Sequence, residues 1–280
     1  MKTVASALSF ACAFLCASAI DALAQEDASV RTAQRLMVRS GLSVQLRGLP
    51  PQMEADVRQA AELLDPELAA ALLSAVKIAF QPDLLESDIA ARVAKNLTVG
   101  DMTSALTWLD SAAGKRVTLA EERGATEFDP QLFTQYVQAL RTKPIAEKRS
   151  QMLTLVVEAT NGAETVLATQ EAIAAGVAVG MDSLQPKGRR QGEAALRMRV
   201  RQSVRSEKAR SAITQQLPLV YAYFYRNIAD ADLTAYVQFL QSRAGKRYQQ
   251  GMTAAFVEGL GRASLQVGEL AGQYQRRTAM

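Results

Sequence analysis

Two features of this chain could do chemistry: the adjacent carboxylates Glu121 and Glu122, and a serine-glycine-cation stretch that occurs twice, SAAGKR at 111–116 and SRAGKR at 242–247. A pair of carboxyls is enough for general acid–base work, including cleavage of a glycosidic bond. A glycine followed by Lys-Arg invites comparison with a phosphate loop. That loop needs a further glycine five residues earlier and a hydroxyl after the lysine. Here those places hold Leu109 and Leu240, then Arg116 and Arg247, so the match to a phosphate loop fails. The chain has no histidine. Serine–histidine and cysteine–histidine nucleophiles, imidazole acid–base catalysis and the usual zinc ligand sets therefore fall away. The segment NIADADL from Asn227 lacks the turn glycine of a calcium loop. No cofactor is expected.

These residues must be held by helices. Apolar positions recur at Met102, Leu106 and Leu109 and again at Leu233, Val237 and Leu240, spaced four then three, which is the helical rhythm. Asp65-Pro66 and Asp129-Pro130 each place a capping acceptor before a proline at the first helical position, where the missing N–H costs nothing. Sustained period-two alternation is absent, so the expected class is all-α.

The repeated stretch belongs to a longer self-similarity. Residues 96–117 lie over 227–248 without a gap, with Asn96, Asp101, Thr103, Leu109, Ser111, Ala113, Gly114, Lys115 and Arg116 all recurring. Upstream, RLMVRSG ending at Gly41 pairs more distantly with TLVVEATNG ending at Gly162. Lys143-Pro144 is a natural seam. The expectation is two tandem, related helical units, 28–143 and 144–277, each containing a helix-hinge-helix motif. At the hinge, Ser111 and Ser242 either cap a new helix, with Gly114 and Gly245 allowing close approach, or the glycines end the preceding helix in the left-handed conformation. Two cations behind the glycine favour the helix-ending form, because they oppose the dipole of a helix that starts there. The immediate return of the apolar rhythm at Val117 and Tyr248 favours the helix-starting form. A positive φ at Gly114 marks the first, a helical φ the second. In the second unit Met252 and Thr253 stand where the first has Glu121 and Glu122, so the repeat does not preserve the acid pair.

The first 24 residues carry Lys2, a short apolar run and the Ala22-Leu23-Ala24 pattern of a signal-peptidase site. Their expected removal takes away Cys12 and Cys16, leaving a mature chain without cysteine for an oxidising compartment, the periplasm. The apolar run is short of the ~20 residues that span a bilayer, and no transmembrane span is expected in the mature chain. A net charge of +4, with 49% hydrophobic and 21% charged residues, is ordinary globular composition and names no partner.

Three stretches offer binding surfaces. Residues 187–210 read as a basic helix with Lys187, Arg189, Arg190, Arg197, Arg199, Arg201, Arg205, Lys208 and Arg210 against Glu193 and Glu207. Such a run is either a solvated helix face or a contact for anionic lipid, lipopolysaccharide or nucleic acid. An aromatic stripe places Tyr221, Phe224, Tyr225 and Ile228 on one helix face, for core packing or for a ligand. GVAVG at 176–180 and GELAG at 268–272 suit close helix packing, not membrane spans, since Glu164, Glu171 and Glu269 lie in or beside them. Lys115, Arg116, Lys246 and Arg247 at the hinges are further candidates for anion or partner contact.

An acidic-Leu pair, an aromatic pair, then Ser-Pro-x-Gly and a polar-basic pair form the C-terminal signature of the bacterial envelope proteins grouped as domain of unknown function 2059. This chain resembles that family through Asp232-Leu233, Phe239-Leu240, Ser242, Gly245, Lys246, Arg247 and the preceding LPLVYAYFYRNI, within 218–253. The first unit resembles it through Asp101-Met102, Trp108-Leu109, Ser111, Gly114 and Lys115. Ala112 and Arg243 replace the proline, and Leu replaces the second aromatic residue. The resemblance implies a secreted, all-helical, usually periplasmic protein and brings no catalytic residues. The expected function is a non-catalytic envelope interaction or assembly factor, touching an envelope protein or anionic lipid and not nucleic acid. The alternatives are a helical carrier of an apolar or lipid ligand, with a pocket lined by Tyr221, Phe224 and Phe239, and a carboxylate hydrolase built on Glu121 and Glu122. The exported product should begin at Gln25; an intact mass that still includes Cys16 would contradict the cleavage site.

Overall fold

The computed structural model describes residues 25–278, with side chains as far as Gln273. The expected signal segment 1–24 lies outside the described residues. Among the described residues there are helices and turns and no strand, so the chain is all-α. In chain order the helices are α1 (25–39), α2 (Leu42–Ala60), α3 (Pro66–Ala79), α4 (Pro82–Asn96), α5 (Val99–Leu109), α6 (Ala112–Thr126) and α7 (Pro130–Ala139). After the loop that contains Lys143-Pro144 come α8 (Glu147–Ala159), α9 (Gly162–Ser183), α10 (Glu193–Val204), α11 (Glu207–Phe224), α12 (Asp230–Gln241) and α13 (Arg243–Thr278).

The helix starts follow the local chemistry. Asp65 accepts the backbone N–H groups of Glu67 and Leu68 at 2.9 and 3.2 Å, and Asp129 those of Gln131 and Leu132 at 2.7 and 3.1 Å. Prolines occupy the first position of both helices. Thr98 and Asp101 open α5 with a reciprocal capping box.

Both repeated stretches are helix starts. Ser111 has φ −66° and ψ 161°, Ser242 φ −67° and ψ 161°, and each hydroxyl accepts the N–H of the glycine three residues on at 3.0 Å. Neither Gly114 nor Gly245 has a positive φ, so the helix-ending alternative is excluded. The charge argument for it fails because the lysine and arginine fall fourth and fifth in the new helix, beyond the free N–H groups that make its positive end. The glycines serve close approach: a Cβ at Gly114 would collide with the Trp108 carbonyl oxygen, and one at Gly245 with that of Phe239. The upstream resemblance is a second matched bend. Gly41 (φ 74°) and Asn161 (φ 49°) are left-handed residues at the starts of α2 and α9, so Gly41 corresponds to Asn161 and not to Gly162.

Some contacts between helices recur in both halves, although the extensive packing of α3 on α13 has no comparable counterpart between α10 and α6. Helix α6 packs on α2 as α13 packs on α9, α6 meets α11 and α12 as α13 meets α4 and α5, and α2 lies against α3 and α4 as α9 lies against α10 and α11. At the centre the equivalent residues Trp108 and Phe239 stack on each other, with centroids 5.1 Å apart and planes 11° from parallel. On either side, Arg116 donates two hydrogen bonds of 2.6 Å to Asp232, and Arg247 reaches the equivalent Asp101 at 3.7 Å. A residue meeting its own counterpart, flanked by one pair of contacts made twice in opposite senses, is the mark of an approximate two-fold axis.

The hydrophobic cores do not respect the seam. One combines Leu36, Phe80, Ile89 and Met102 from α1–α5 with Met252, Leu260 and Val267 of α13. The other combines Val117 of α6 with Met152 and Val156 of α8, Tyr225, and Leu233 and Leu240 of α12. Each half thus sends the helix that follows its serine corner, α6 or α13, into the core of the other. Helices α9 and α13 approach through Gly176, Gly180 and Gly268, where added side chains would strike backbone atoms of the facing helix. Among the described residues no single helix is long and apolar enough to cross a membrane. The pair α3 and α4, bent by 58°, has a membrane-like composition but buries Ala75, Val76, Ile89 and Val93 in the protein.

Gly114→Ala and Gly245→Ala should each destabilise the protein by about 1–3 kcal/mol, the usual cost of forcing atoms into a packed site. Gly48→Ala in α2, where a Cβ meets nothing within 4 Å, should instead stabilise by about 0.5–1 kcal/mol. Urea unfolding of the three variants measures both signs.

Candidate functional site

Between the two left-handed bends lies a pocket of about 320 Å³. Its lining comes from equivalent places in the two halves: Ser40 and Leu42 after α1, Thr160 and Gly162 after α8, Glu121 and Ala125 of α6, Met252 and Phe256 of α13. The pocket therefore straddles the approximate axis. Symmetry is broken where it matters chemically, because Glu121 faces the pocket from one side and Met252 from the other.

The polar end is built around Glu121. Its Oε1 accepts hydrogen bonds from the Tyr225 hydroxyl at 2.5 Å and the Tyr236 hydroxyl at 2.9 Å. Among the described residues Oε2 has no hydrogen-bond partner. Tyr225 is placed by the end of α11 and is 2% exposed; Tyr236 projects from α12 and is 8% exposed. Tyr221 lies one turn before Tyr225, its ring 5.9 Å away and its hydroxyl 3.3 Å from the Thr160 hydroxyl. Tyr248 of α13 closes the aromatic wall. Removal from water raises the Glu121 pKa above the usual carboxyl value; the tyrosine hydrogen bonds oppose this, and neighbouring Glu122 adds to it. Burial likewise drives Tyr225, Tyr236 and Tyr248 upward, so all three stay protonated. The lining presents one carboxyl, that of Glu121, with tyrosine hydroxyls turned to it, and includes the apolar Met252, Phe256 and Val166 with the polar Thr165, Gln249 and Thr253 beside them.

The sequence-derived candidates separate cleanly. Tyr221 and Phe224 line the pocket as the carrier reading expects, but Phe239 does not, because it stacks on Trp108 and packs toward Tyr248. Glu121 and Glu122 do not face each other across the pocket: Glu121 is the one acid in its lining, while Glu122 lies against Gly41. Among the hinge cations Arg116 and Arg247 are held by Asp232 and Asp101, whereas Lys115 and Lys246 are exposed without an ion-pair partner among the described residues.

The basic stretch 187–210 is not one helix. It is a 3₁₀ turn at Lys187–Arg189, then α10, then the start of α11, broken because Ser206 turns to cap α11 through the Ala209 N–H. Arg201 and Arg205 bind Glu171 of α9 at 2.9 and 2.5 Å, and Arg205 also binds Glu164 at 2.5 Å. Arg197 pairs with Glu193 in its own helix. Arg199, exposed and without such a pair among the described residues, remains available at this face.

Tyr236, Tyr248, Thr160 and Phe256 were not legible as site residues. Their signal lay in the comparison of the two halves, where Tyr236 replaces Ala105, Tyr248 replaces Val117 and Phe256 replaces Ala125. Scans against protein-family models, curated proteins and solved structures returned no match to this chain.

A raised carboxyl pKa means that ionising Glu121 costs more in the folded than in the unfolded chain. Its contribution to stability is most favourable below the unfolded pKa and is lost as pH rises through the folded one. Glu121→Gln should therefore melt above the wild-type protein at pH 7.5, and the difference should shrink toward pH 4. Melting curves at the two pH values, compared variant against wild type, test this.

Proposed function

We propose that this chain is an exported, non-catalytic helical protein of the cell envelope that carries or senses a small amphiphilic molecule in the pocket between its two halves. The observation that carries the reading is the pocket itself: concave, lined by aromatic and aliphatic side chains with polar groups among them and one carboxyl, that of Glu121, which is the usual composition of a small-molecule site. Export rests on the signal-like segment, and the matched halves support descent from a duplicated helix-corner-helix unit. The partner-contact reading keeps exposed Arg199, Lys115 and Lys246. It is weakened where Arg116, Arg201, Arg205 and Arg247 are already held by acids of this chain.

Trp108 is the one tryptophan of the sequence and stacks at 6.0 Å on Tyr236, whose hydroxyl enters the pocket, so its fluorescence reports occupancy. Titration with hexanol, heptanol and octanol should give a saturable, one-site change. Affinity should rise about fourfold per methylene, the fold-change that corresponds to ~0.8 kcal/mol of transfer free energy. Val166→Phe, which fills the apolar end, should abolish the change. A linear, non-saturating response to every alcohol would overturn the proposal.

A further inference from the structure

Several acids of this protein that contact other helices have arginine partners. Asp110 is held by Arg39 and Arg35, Asp232 by Arg116, Glu171 by Arg205 and Arg201, and Asp101 by Arg247. Each of these carboxyls is pulled below its ordinary pKa, Asp110, Asp232 and Glu171 by their arginines and Asp101 chiefly by its hydrogen bonds with Thr98. Glu121 departs from the pattern. The titratable groups facing it are Glu122 on its own helix, Tyr221 and Tyr225 at the end of α11, Tyr236 of α12 and Tyr248 of α13. None is a cation, and neither Lys nor Arg lines the pocket.

Packing does not require an acid there, since the equivalent place in the other half is met by Met252. An isolated carboxylate taken out of water is costly unless a charge of opposite sign joins it. Among the described residues hydrogen bonding engages only one of its oxygens, Oε1, and the half-buried side chain leaves Oε2 open to the pocket. Tyrosine rings line the same pocket, and the face of such a ring attracts an organic cation.

Resting on the pocket reading above, we propose that the ligand is an organic ammonium ion with an apolar tail, its charged head against Glu121 and the tyrosine rings and its tail toward Met252 and Phe256. The missing counter-ion of Glu121 is then supplied by the ligand. Selectivity follows from charge: a neutral head leaves the carboxylate uncompensated, and an anionic head adds repulsion. The Met252 end accepts the tail without distinguishing between heads.

The test is a calorimetric titration of the mature protein with octyltrimethylammonium, octanol and octanoate, which share a tail and differ in head charge. The ammonium probe should bind at least tenfold more tightly than octanol, and octanoate more weakly than both. Glu121→Gln, shown to be folded by its helical circular dichroism, should bring the ammonium and alcohol affinities within about twofold. A wild-type pH series gives a second readout that needs no variant. Between pH 7.5 and pH 4 the preference for ammonium over octanol should fall as Glu121 takes up a proton, since the quaternary head cannot titrate. Equal affinity for ammonium and alcohol, unchanged by pH or by the variant, would overturn the charge assignment and leave the pocket reading intact. Failure of all three probes to bind would overturn both.

Discussion

The structure depends on how tightly two chain corners can turn. At Ser111 and Ser242 a hydroxyl ends one helix-to-helix connection by capping the next helix, and a glycine three residues on lets that helix start against the carbonyl of the preceding aromatic residue. Because the corners have nearly the same backbone angles, α5–α6 and α12–α13 leave them in matched directions. Trp108 and Phe239, just ahead of the corners, then meet face to face. The cross-connections Arg116–Asp232 and Arg247–Asp101 fall into register as a consequence, and so does the exchange of α6 and α13 between cores. A larger side chain at either glycine would change the angle at which a terminal helix departs and would propagate to both cores.

The same geometry accounts for the pocket. Two helices crossing near an axis, bounded by two left-handed bends, leave a gap that neither half can fill alone. Side chains there come from both halves, so the two sides of one pocket carry different chemistry. Glu121, Ala125 and Leu42 differ from Met252, Phe256 and Gly162. Elsewhere near the axis, as at Leu109 and Leu240, the residues stay alike because packing on both sides asks for the same shape. Difference between the halves is thus where a specific role is written.

Much of this was legible in the residues. The capping pairs Asp65-Pro66 and Asp129-Pro130, the four-three apolar spacing and the repeated Ser-x-x-Gly are local signals, and local hydrogen bonds decide them. The orientation of the hinge was open because its cations and its apolar rhythm pulled in opposite directions, and the placement of the cations beyond the first turn settles it. What the chain did not reveal is long-range. The arginines of 187–210 read as one positive face because their acids, Glu164 and Glu171, are on another helix. Glu121 read as half of a pair with Glu122, its neighbour in sequence, whereas its hydrogen-bonding partners are tyrosines from more than a hundred residues away. Spacing along a helix says which residues share a face, but not what that face will meet.

The entry of α13 into the core of the first half also sets an order of events. The core around Phe80 and Ile89 is closed by Leu260 and Val267, so a chain emerging with its N-terminus first cannot seal its earliest helices until its last have appeared. Such distant closure slows folding relative to a bundle built from neighbours. Until then the apolar faces of α3 and α4 stay unsealed and open to self-association.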